Sequence, residues 1–129
     1  MKNKIKFPNE FICSSTIEFY IDKSNKEEIF KFLNEKGIEK LKNILRQIND
    51  KTATKSIYSS ENYNNNIKNI TAIKFKGKRF HNARIYCKDY DENKPRIIVL
   101  SELLKSKKQN KLTHKEKNLI IKVNKYEYQ

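Results

Sequence analysis

Two cysteines, two histidines, two glycines and no tryptophan leave this 129-residue chain little material for the commonest kinds of site chemistry. Cys13 and Cys87 lie far apart, each in a strand-like stretch; they make no metal cluster or disulfide framework and read as free, buried thiols. With His81 and His114 alone there is no paired-histidine metal motif and no Ser/His/Asp pattern, and a glycine-rich phosphate loop is absent. No apolar run approaches the roughly 20 residues of a membrane span. The start, MKNKIKFPNEF, lacks the apolar core of a secretion signal, so a cytoplasmic location is expected.

Carboxylates are scarce where cations are dense. Residues 1–50 hold ten Lys and Arg against eight Asp and Glu, whereas residues 51–129 hold nineteen against seven, and the chain's net charge is +14. A field of that sign attracts nucleic acid, an anionic membrane surface or an acidic protein, and charge alone does not choose among them. A Lys/Asn bias, visible in ENYNNNIKN, is a second source of lysine unrelated to use. The mean hydropathy of −0.90 approaches that of disordered chains. Seven Tyr, seven Phe and clear periodic segments argue instead for one small folded domain over 1–129.

The pattern predicts an α+β domain. STIEFYI, Ser15 to Ile21, has the composition of a first strand and leaves 1–15 as an N-terminal extension. Ser24 and Glu27 form a candidate capping box, and Gly37 is placed to end a first helix. Ile38, Leu41, Ile44, Leu45 and Ile48 then recur at helical spacing, so a helical hairpin is expected. Residues 50–69 read as a long polar loop. NITAIKFK, RFHNARIYCKDY and PRIIVLSELL follow as a three-stranded antiparallel meander, turned at KGKR and DENKP. In the middle strand Ala83, Ile85 and Cys87 share an apolar face, while Arg84, Tyr86 and Lys88 share a basic one. Thr113 and Glu116 cap a final helix whose buried stripe is Leu119, Ile120 and Val123.

IKFKGKRFHNARIYCK, Ile73 to Lys88, carries six cations without one carboxylate, although like charges facing one another on a sheet are destabilising. A phosphate backbone is the counter-charge expected there. This order of elements, with AIKFKGKR before ARIYCKD, the apolar PRIIVLSELLKSKKQNKLTHKE and a last helix ending NKYEY, resembles the RelE/HigB-like toxins of bacterial toxin-antitoxin modules. The likeness spans about residues 16 to 128 and is best from Ile73 onward. It implies a RelE-like fold and a small endoribonuclease that cuts messenger RNA, commonly on the ribosome, without metal or other cofactor, silenced by a bound antitoxin. The middle loop is longer and more polar than in that family, and no single residue stands in the place of the usual general acid.

Such cleavage needs a base for the 2′-hydroxyl proton, an acid for the leaving oxygen and cations for the phosphate charge. Arg84 matches the family's strand arginine, and its planar fork suits two phosphate oxygens. Lys76 and His114 are the further catalytic candidates, His114 as a neutral base at the start of the last helix. Lys74, Lys78, Arg79, Tyr86, Lys107, Lys108 and Lys111 are candidates for holding RNA, the last three lysines from the family's basic tract. Glu102 is a second possible base, Tyr126 and Tyr128 are candidates for stacking or supplying a phenol, and His81 is expected to be partly buried. Two alternatives stay open: a non-catalytic toxin of the ParE branch that poisons gyrase, and a small basic RNA-binding protein without chemistry.

Overall fold

The computed structural model describes residues 1–12, 16–61, 64–108 and 112–129. Its elements are β1 (Lys4–Lys6), β2 (Ile17–Asp22), α1 (Lys26–Asn49), β3 (Tyr58–Ser60), β4 (Ile70–Lys74), β5 (Arg84–Tyr90), β6 (Arg96–Leu104) and α2 (His114–Asn124). The strands form one mixed six-stranded sheet in the order β1-β2-β6-β5-β4-β3. β2 runs parallel to β6, and every other neighbouring pair is antiparallel. Among the described residues no helix is long and apolar enough to cross a membrane.

This corrects the expected layout of an N-terminal strand, a helical hairpin, a three-stranded meander and a last helix. The helix layout differs from the expected hairpin broken at Gly37: α1 spans Lys26 to Asn49 as two helical segments joined across a kink at Asn34, whose backbone (φ 54°, ψ −167°) is not helical. Asn34 tolerates positive φ, and its Oδ1 accepts the Lys36 N–H at 3.1 Å, so the helix restarts at once. Gly37 does not stop the helix. It is buried inside α1, where the break brings the two segments so close that a Cβ would lie 2.9 Å from Leu33 Cβ and 3.4 Å from the Phe80 ring. The cap also differs: helix geometry begins after Asn25, and the Ser24 N–H donates instead to Asp22 Oδ1 at 2.8 Å. Asn25 makes no cap; its side-chain amide reaches across to Ser101 O and Glu102 Oε2. The second capping box does form, with Thr113 and Glu116 reciprocally bonded.

Two short edge strands complete the sheet. β1 pairs Lys4–Lys6 with Asp22–Tyr20, and Phe7 and Phe11 join the core beside Phe30, so the described part of the expected extension is built into the fold. β3 lies within the expected polar loop, pairing Tyr58–Ser60 with Ile73–Thr71. Cys87 is fully buried, which pushes its thiol well above the ordinary range; Cys13 lies outside the described residues.

Both faces of the sheet are covered. α1 lies over Ile73, Phe75, Ile85, Cys87, Ile98 and Leu100. α2 lies over Ile70, Ala72, Tyr86 and Leu104 with Ile120 and Val123. The second face of β5 is therefore not simply basic, because Tyr86 at its middle is fully buried. Lys88 on that face donates to the carbonyls of Asn124 and Tyr126, satisfying the end of α2. What stays basic is the strip beyond the N-terminus of α2. Gly37→Ala should lower stability by about 1 to 3 kcal/mol, because overpacking against Leu33 outweighs the gain in helix propensity. Chemical denaturation measures this; an unchanged or raised midpoint would show that the two segments of α1 can move apart freely.

Candidate functional site

The end of β4, the start of β5 and the connector after β6 meet at a pocket of about 240 Å³ lined by Lys74, Phe75, Lys76, Asn82, Arg84, Lys107 and Lys108. Its position depends on the β4–β5 turn. Phe80 in that turn packs on Phe75 (ring centroids 5.8 Å apart) and on α1 near Gly37, while the Lys40 ammonium sits 4.9 Å from the Phe80 ring centroid. Gly77 has φ 106°, and its N–H donates to Asn82 Oδ1 at 3.0 Å. The Lys107 N–H donates to His81 O at 2.9 Å, which ties the connector to the turn. The pocket's cations are thus held on a braced frame.

Lys74 and Arg84 face each other directly across β4 and β5. Glu61 pairs with Arg84: its Oε1 is 3.0 Å from Arg84 Nη1, and both side chains are mostly buried. Burial pushes the Glu61 carboxyl up, and the nearby Arg84, Lys74 and Lys107 offset only part of that rise. Burial, and then Arg84, pull the Lys74 ammonium down, with Glu61 opposing. Lys74 also donates to Lys55 O at 3.0 Å. Burial thus moves the carboxyl up and the ammonium down beside one guanidinium, which narrows the gap between a base and an acid that proton transfer has to cross.

Beneath the pocket lies a second ion pair. Lys107 Nζ is 2.5 Å from Glu116 Oε1, with side chains 8% and 1% exposed, so this lysine serves as a strut more than a free cation. The Tyr86 hydroxyl donates to the same carboxylate oxygen at 3.3 Å. Burial raises the Glu116 carboxyl, but Lys107 and the Thr113 N–H and hydroxyl outweigh it and hold the group below its ordinary value. Burial and Glu116 raise the Tyr86 phenol.

Of the residues singled out from sequence, Lys74, Lys76, Arg84, Lys107 and Lys108 come together around the pocket. Lys78 and Arg79 are exposed on the turn outside it, with the Arg79 guanidinium 5.8 Å from the Phe80 ring centroid. Tyr86 is corrected from an RNA contact to a buried support, since no base can stack on a fully buried ring. His114 is exposed at the first turn of α2 and does not line the pocket. Lys111 lies outside the described residues. His81 is exposed in a left-handed turn (φ 52°), not partly buried. Glu102 accepts from Asn25 and Tyr126, and the Tyr128 hydroxyl is bonded to Asp22 and Ser101, so these groups form a separate structural network.

Glu61 is the residue that sequence reasoning missed. It stands alone in a polar stretch with no periodicity, and its only signal was the need of Ile73–Lys88 for a carboxylate from elsewhere in the chain. No family model matches this chain, and no curated protein or solved structure is significantly similar to it.

Glu116→Ala should cost about 3 kcal/mol by leaving the Lys107 ammonium buried and unpaired. Because the folded value of Glu116 is depressed, its contribution is fully present above the unfolded value and fades as pH falls through the folded one. Thermal melts from neutral to acidic pH should therefore converge for wild type and Glu116→Gln. A constant gap down the whole range would contradict the ion pair's role.

Proposed function

We propose that the chain is a metal-independent endoribonuclease that cleaves messenger RNA, acts in the cytoplasm, and is held inactive by a cognate acidic antitoxin, as its resemblance to RelE/HigB-like toxins implies. The observation that carries this reading is the buried Glu61–Arg84 pair at the edge of a pocket lined by five cations. In the reaction, Glu61 takes the proton of a ribose 2′-hydroxyl as that oxygen attacks the adjacent phosphorus. Arg84 keeps one Nη on Glu61 and turns its remaining N–H groups to the phosphoryl oxygens, where charge builds. The bond from phosphorus to the 5′-oxygen breaks, and Lys74 gives that oxygen a proton. The products are a 2′,3′-cyclic phosphate and a 5′-hydroxyl, so atoms and charge balance. Lys76 and Lys108, exposed at the rim, hold the flanking backbone. This reading moves the general base from His114 or Glu102 to Glu61.

Single-turnover cleavage of a messenger fragment, with and without ribosomes and in the presence of EDTA, tests the reading. Arg84→Ala should slow cleavage roughly a hundredfold or more, and Arg84→Lys should recover little. Glu61→Gln should lose about a hundredfold to ten-thousandfold and abolish the acid limb of the pH profile. In wild type that limb should lie above the usual carboxylate range, and the alkaline limb below the usual lysine range. Variants that melt normally and cut at the wild-type rate would remove the nuclease reading; activity lost in EDTA and restored by one metal would remove its metal-free mechanism.

A further inference from the structure

We propose that the β4–β5 turn and the flank of α1 beside it form a second phosphate-binding surface, where Lys40 and Arg79 hold the backbone of a single RNA strand as it leaves the pocket. The proposal rests on the RNA reading and deepens it by giving the strand a path.

The pocket and α1 meet at this turn. Lys76 lines the pocket, and its carbonyl accepts from the Lys40 ammonium at 3.4 Å. Lys78–Phe80 then form one 3-10 turn, and the Phe80 ring packs back on Phe75 and against Gly37 of α1. The Lys40 ammonium lies 4.9 Å and the Arg79 guanidinium 5.8 Å from the centre of that ring, both within reach of a cation–π contact. Lys74 and Arg84 share the sheet face of Ala72 and Tyr86, which α2 covers, whereas Lys40 stands on the α1 side. A strand that joins them bends over the turn, with Lys76 between.

These cations are held differently from Lys107. A buried carboxylate cancels the Lys107 charge. The partners of Lys40 and Arg79 are a ring and a carbonyl, which fix the cation and leave its charge whole. Among the described residues Lys40, Lys76, Lys78 and Arg79 form no ion pair, and Glu39, next to Lys40 in the helix, reaches Lys42 at 3.5 Å instead. Four cations without a counter-charge repel one another and attract an anion that repeats. The next phosphates of the strand already seated in the pocket are such an anion. An acidic peptide meets the same charge but has no covalent continuity with a phosphate on Lys74 and Arg84.

The test uses all-deoxy oligonucleotides, which lack the attacking hydroxyl: a trinucleotide, and two hexanucleotides that extend it on the 5′ or on the 3′ side. Fluorescence anisotropy of the whole chain across a salt series reads affinity and salt slope. The double variant Lys40→Gln, Arg79→Gln should weaken one hexanucleotide about tenfold and lower its slope by about 1.4, two single-strand contacts at about 0.7 each. The other hexanucleotide and the trinucleotide should change less than about twofold at physiological salt, where screening acts beyond about 8 Å. The charge-conserving Lys40→Arg, Arg79→Lys variant should keep the wild-type slope, and both variants should melt as wild type. Equal losses for all three probes, no loss for any, or no gain on lengthening at either end overturns the path. A polyglutamate peptide that binds as tightly as the hexanucleotide and loses the same factor in the Gln variant makes this a protein surface and also overturns it. A chain that cuts RNA through Arg84 yet shows no length dependence keeps the nuclease and loses the path. A chain with the length dependence that cuts no RNA does the reverse.

Discussion

Burying the Glu116 carboxylate is the constraint around which the functional end of the molecule is arranged. An ionised carboxylate at 1% exposure persists only with several partners, and this one has three from three parts of the chain: the Lys107 ammonium, the Tyr86 hydroxyl and the N–H of Thr113. Those partners come from the β6–α2 connector, the centre of β5 and the start of α2. One charge therefore sets where α2 begins, how far it covers the sheet, and where the connector bearing Lys108 runs. Arg84 and Lys74 line the pocket, and the mostly buried Arg84 is shielded by its partner Glu61.

The repulsion between Lys74 and Arg84 is met in a second, unlike way. Their counter-charge comes from Glu61, which is only partly compensated for its burial, so burial moves the Glu61 carboxyl up and the Lys74 ammonium down. The contrast is physical. Glu116 has enough donors to be held firmly ionised, whereas Glu61 accepts one guanidinium bond and is displaced upward by desolvation. The first arrangement suits a strut and the second suits chemistry.

Periodicity made parts of this legible. The alternation of Ile85 and Cys87 against Arg84 and Tyr86 gave the two faces of β5, and the stripe of Ile120 and Val123 gave the buried side of α2. The cations that gather at the pocket were also visible, as a run lacking carboxylates. What failed depended on contacts between distant residues. Ser24 and Thr113 head the same capping pattern, but Asp22 takes the Ser24 N–H and only Thr113 caps. Gly37 carries the standard stop signal, yet Asn34 supplies the break, and glycine is needed for closeness. β1 and β3, three residues each, are too short to show a period. Tyr86 had the right parity for a basic face, but parity says nothing about a helix lying above it.

The parallel pairing of β2 with β6 bears on how the chain reaches this structure. Ile17 lies beside Arg96 and Ile21 beside Leu100, so the seam joining the two halves of the sheet links segments nearly eighty positions apart. The chain-entropy cost of closing that loop falls before any of its contacts form, which places such topologies among the slower folders. A ribosome making this chain releases β2 and α1 well before their partner strand exists. Until Arg96–Leu104 emerges, one edge of β2 and the part of α1 that packs on Ile98 and Leu100 lack their native surface, so the nascent chain must carry them exposed through most of its synthesis.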